Sequence, residues 1–103
     1  MKTYGKGGTL GRAEYKVKGG KLIRVHLTIE NGKIKHIKIT GDFFLHPEEV
    51  IEDIEQALKG HSLDEDELNH LIENVLKSKQ AIPIGVSPRD FARCIMMAGE
   101  KNG

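Results

Sequence analysis

Nine apolar residues near the start of this chain share one parity. Ala13, Tyr15 and Val17, then Ile23, Val25, Leu27 and Ile29, then Ile37 and Ile39 all stand at odd positions, separated by polar or charged residues. Successive side chains on a strand point to opposite faces, so this alternation predicts strands with one apolar face. It also restricts the turns between them. A two-residue Asn31-Gly32 turn would set Val25 opposite Lys38 and send Ile37 and Ile39 to the wrong face. A three-residue loop, Glu30-Asn31-Gly32 with Gly32 left-handed, instead pairs Val25 with Ile37 and Ile23 with Ile39. The same logic prefers a Lys18-Gly19-Gly20 loop in the first hairpin. Ile34 breaks the parity and is expected at a hairpin end or on the solvent face.

The pattern then changes period. Val50, Ile51, Ile54, Ala57 and Leu58 form a helical stripe, with Pro47 expected in the first turn and Gly60 as the stop. Ser62 and Glu65 read as a capping box for a second helix, with Leu68, Leu71, Ile72, Val75 and Leu76 inward. Residues 80–86 read as extended or irregular. Ser87-Pro88 and Asp90 then start a third helix carrying Phe91, Ile95 and Met96. A meander with one apolar face needs a cover, which these helices supply. The expected fold is two-layer α+β, a three-stranded antiparallel meander under about three helices. Residues 1–11, rich in glycine, are expected as a flexible arm, 12–99 as one domain and 100–103 as a tail.

The junction between the two periods reads "GDFFLHPEE". Gly41 lets the chain leave the last strand and Asp42 can bond the turn. Neighbouring residues on extended chain point to opposite sides, so Phe43 and Phe44 should divide between core and surface.

Composition narrows the chemistry. Residues 1–41 hold ten Lys or Arg against two acids, whereas residues 42–77 hold two Lys against eleven acids. Lys16, Lys18, Lys21 and Arg24 gather around the first hairpin, where they could hold phosphate or an acidic partner. Only Tyr4 and Tyr15 lie near for base stacking, which argues against single-stranded nucleic acid. Cys94 is the sole cysteine, and it sits inside a predicted helix beside Arg93; a packed thiol is the expectation. The five histidines form no zinc motif, and the Gly5–Gly11 stretch lacks the spacing of a phosphate loop. The carboxylates of Glu48 to Glu55 and of Asp64 to Glu67 read as solvated helix faces. No apolar run is long enough to span a bilayer, and a reducing cytoplasm fits the cysteine usage.

The stretch "YKVKGGKLIRVHLTIENGKIKHIKITGDFFLHPEEVIEDIEQALKG" resembles the C-terminal accessory domain of lipoate–protein ligases. The resemblance extends loosely through "IPIGVSPRDFARCIM" and rests on Gly19-Gly20, Asn31-Gly32, Gly41-Asp42-Phe43-Phe44 and Gly60 in that order. It implies a part in the ATP-dependent activation of lipoate to lipoyl-adenylate, which precedes transfer to a lysine of a lipoyl domain. The catalytic domain of that family is absent from these residues. The resemblance therefore implies a small subunit that joins a separate catalytic ligase subunit as a heterodimer and acts in adenylation rather than transfer. Lipoate, ATP and Mg would be used by the assembled ligase, with none bound by this chain alone. Lys16, Lys21, Arg24, Phe43 and Phe44 are the candidates for touching the partner or a phosphate. Gly19, Gly20, Gly32, Gly41, Asp42 and Gly60 are the expected structural positions. The fold also resembles sulfur-acceptor and iron–sulfur scaffold proteins, which supplies a rival function, and a basic nucleic-acid-binding module is a third.

Overall fold

The computed structural model describes residues 9–100. Strands β1 (Thr9–Lys16), β2 (Leu22–Glu30) and β3 (Lys33–Gly41) form an antiparallel sheet in that order. A short strand β4 (Phe44–His46) leads into helices α1 (Val50–Leu58) and α2 (Glu65–Ser78). Strand β5 (Ile82–Ile84) and helix α3 (Pro88–Glu100) follow. β1 reaches into the stretch expected as a flexible arm, while residues 1–8 and 101–103 lie outside the described residues.

The shared parity does define the core face. Ala13, Ile23, Val25, Leu27, Ile37 and Ile39 are all buried, and α3 packs on β1 and β2 while α1 lies along β3. Phe91 and Ile95 of α3 are fully buried against this sheet, and α2 closes the layer through Leu68, Ile72 and Leu76. Each such side chain contributes roughly 1.5–3 kcal/mol by leaving water.

The first hairpin has the three-residue loop expected of it. The Val17 amide donates to the Lys21 carbonyl at 2.7 Å and the Gly20 amide donates to the Val17 carbonyl at 2.9 Å, around Lys18-Gly19-Gly20. The second hairpin does not. Glu30 pairs with Lys33 across a two-residue turn in which Asn31 and Gly32 both have positive φ, 56° and 77°. Asn-Gly is the pair that this tight turn favours. Parity is restored within the strand rather than in the loop: the register shifts beside Thr28 and Ile29, where Lys35 is left without a partner. Val25 therefore faces Ile39 rather than Ile37, and Leu27 faces Ile37. The same bulge turns Ile34 inward at the hairpin end, where it is 1% exposed.

Three helix expectations also change. Pro47 precedes α1 instead of opening it, because the helix begins only at Val50. The cap of α2 is Asp64, whose side chain accepts from the amides of Asp66 and Glu67. Ser62 instead bridges to Lys33, and the neighbouring Gly60 amide donates to the Ile34 carbonyl at 2.8 Å. The acidic face of α1 is not wholly solvated. Glu55 is buried and accepts from the Ile39 amide at 2.8 Å, which satisfies a backbone donor on the free edge of β3. At α3 the cap forms as expected: Ser87 and Asp90 exchange side-chain and backbone hydrogen bonds.

Candidate functional site

The two phenylalanines divide as alternation requires. Phe43 is half-buried and meets Phe91 edge-to-face, with ring centroids 5.1 Å apart. Phe44 turns the other way and is 61% exposed. The split depends on the turn ahead of it. The Leu22 amide donates to the Asp42 carboxylate at 2.6 Å, and the Asp42 amide donates back to the Leu22 carbonyl at 3.1 Å. Gly41 sits against that same carbonyl oxygen, and a Cβ there would collide with it. Glycine at 41 and aspartate at 42 thus bind the end of β3 to the start of β2, which sets where Phe44 emerges.

β4 finds a partner that its sequence does not announce. Phe44, Leu45 and His46 pair antiparallel with Ile84, Pro83 and Ile82, making a second, two-stranded sheet. Leu45 on the inner side is buried, whereas Phe44, Ile82 and Ile84 project outward, the two isoleucines at 61% and 51% exposure. Ile82 and Ile84 are the residues that sequence reasoning missed. Their signal was an apolar–Pro–apolar alternation, too short to separate a strand from an irregular segment. Beside this ribbon runs an open groove of about 500 Å³, lined among others by Ile39, Gly41, Glu48 and Ile51.

Of the basic candidates, only Lys21 joins this surface. Its stem lies over Gly85, where a Cβ would overlap the lysine Cγ, and its ammonium stands 5.0 Å from the centre of the Phe44 ring. Lys16 is exposed at the end of β1, opposite Leu22. Arg24 lies on the outer face of the sheet and donates to Glu14 at 2.7 Å. That contact, above all its hydrogen bond, holds the Glu14 carboxyl below the usual range. The structure therefore separates Arg24 from Lys21 and Phe44. Gly19, Gly20, Gly32 and Gly60 all have positive φ and serve turns.

Cys94 is fully buried in α3, with its thiol directed at the carbonyls of Ala13 and Ile23 at 3.6 and 3.5 Å. Desolvation pushes it up to about 11, so it is a packing group rather than a nucleophile at neutral pH. No cluster of three His, Cys, Asp or Glu that could hold a metal occurs among the described residues.

Fold and surface together define a small two-layer α+β module whose most distinctive feature is an exposed apolar ribbon beside a groove. The chain belongs to the family described as bacterial lipoate protein ligase C-terminus, whose model matches residues 12–95. It is 38% identical over 62 residues to lipoate-protein ligase A subunit 2 of Thermoplasma acidophilum. That match covers 60% of this chain and 63% of the relative, so it spans less than two thirds of the relative's length. Its structure is similar to a chain solved in a study of an archaeal lipoylation system, a bi-partite lipoate protein ligase and its E2 lipoyl domain from the same organism. The TM-score is 0.74 at 34% identity, covering 85% of this chain and 96% of that one.

Proposed function

We propose that this protein is the accessory subunit of a two-protein lipoate–protein ligase. It assembles with a separate catalytic subunit that activates lipoate with ATP to lipoyl-adenylate, before transfer to a lysine of a lipoyl-domain protein. The observation that carries this reading is the structural likeness to a chain of a bi-partite ligase over 96% of that chain's length, at 34% identity. The family match over most of the domain supports it independently. Lipoate, ATP and Mg belong in this reading to the assembled enzyme, and the complex works in the cytoplasm. No helix among the described residues is long and apolar enough to cross a membrane.

The rival sulfur-acceptor reading needs an exposed, activated thiol, and the buried Cys94 with its raised pKa supplies the opposite. The decisive experiment measures lipoyl-adenylate formation from lipoate and ATP by the catalytic subunit, with and without this chain. Adenylate should accumulate only when both are present. Adenylate made by this chain alone, or a catalytic subunit indifferent to its addition, would refute the reading.

A further inference from the structure

Among the described residues four large apolar side chains are conspicuously exposed, and three of them lie together on the ribbon: Phe44, Ile82 and Ile84. The pairing of Phe44 with Ile84 and the two-residue spacing of Ile82 and Ile84 place all three on one face. The fold does not require this. Leu45 already anchors the ribbon to the core from its other side, and polar residues in place of these three, like His46 on the same face, would leave that anchor untouched. A contiguous apolar face beside an open groove marks an interaction surface. Two three-residue strands are also too little sheet to be stable alone, so a covering partner gains by completing them.

The charge at the rim says what covers it. Lys21 is held over Phe44 by the gap at Gly85, so its ammonium stays at the edge of the apolar face. A second copy of this chain is a poor occupant. A two-fold contact through so small a patch would bring a second Lys21 together with a second Glu48, and so add no net opposite charge at the rim. An apolar segment carrying an acidic side chain answers both the patch and its rim.

We infer that the outward face of the β4–β5 ribbon, with the groove beside it, is where the catalytic subunit docks, through an apolar segment whose carboxylate pairs with Lys21. This rests on the accessory-subunit reading above and names its interface. Phe44 is the anchor, since exposed aromatics that become buried dominate such contacts. Lys21 contributes orientation and a salt-sensitive part of the affinity.

The test is the affinity of the purified catalytic subunit for this chain and for Phe44→Ser, Ile84→Ser and Lys21→Met, by calorimetry at low and high salt. Thermal unfolding of each free variant serves as the control for folding. Phe44→Ser should bind roughly thirtyfold more weakly, with Ile84→Ser in the same direction, and both should unfold close to the parent temperature. Lys21→Met should weaken binding at low salt and flatten its salt dependence. If the parent chain binds and both serine variants, shown folded, bind equally well, the interface lies elsewhere and the inference fails alone. If the parent chain shows no binding, the accessory-subunit reading fails and takes this inference with it. A concentration-dependent dimer of the parent that Ile84→Ser abolishes would assign the ribbon to a second copy and overturn the inference too.

Discussion

Replacing Glu55 tests whether one buried carboxylate secures the outer edge of the sheet. Its carboxylate accepts from the Ile39 amide at 2.8 Å inside the α1–β3 contact, and the residue is only 8% exposed. Glu55→Met keeps the length and apolar stem but removes the acceptor, leaving a buried N–H unpaired. Hydrogen bonds to charged groups are worth about 1.5–3 kcal/mol, and an orphaned buried donor costs a similar amount. A loss of about 2 kcal/mol lowers Tm by roughly 8–16 °C in a domain of this size. Glu55→Gln retains a neutral acceptor and should lose about half as much. Urea and thermal unfolding followed by circular dichroism measure the order parent, Gln, Met. Hydrogen exchange at the Ile39 amide should accelerate in the same order. Equal stability of Gln and Met variants, with Ile39 still protected in both, would show that the hydrogen bond carries no weight.

Two further outcomes follow from local geometry. Gly32→Val should destabilise by more than about 1 kcal/mol in chemical denaturation, because φ of 77° is closed to a β-branched residue although the space around it is open. Cys94, with a pKa pushed to about 11, should be roughly one part in a thousand thiolate at pH 8. Iodoacetamide should label it only after unfolding, and rapid labelling of the native protein would contradict its placement.

Period and parity were enough to read the inner face of the sheet, the inward stripes of three helices and the division of Phe43 from Phe44. What they could not distinguish was two ways of keeping one parity. A longer loop and a bulge both return Ile37 and Ile39 to the core, and only the turn preference of Asn31-Gly32 separates them. Glu55 was read as solvated because its neighbours in sequence are acidic. The amide it serves lies on another element, and local pattern carries no record of that. The ribbon escaped for the same reason. Phe44 was visible as an outward residue, but its companions Ile82 and Ile84 stand almost forty residues later, and pairing across that separation leaves no periodic trace.

The thiol of Cys94 rests on carbonyls 81 and 71 residues before it, because α3 packs on the first two strands. The earliest and latest parts of the described chain therefore complete each other. While the polypeptide is being synthesised, the sheet can form its hairpins, but Ile23 and Val25 have no cover from α3 until that helix has itself left the ribosome. Closing so wide a span is slow compared with local helix or hairpin formation. The nascent sheet is thus sticky and half-roofed until α3 arrives to cover it. Loss of even the last two turns of α3, which carry Cys94, Ile95 and Ala98, would strip cover from β1 and β2.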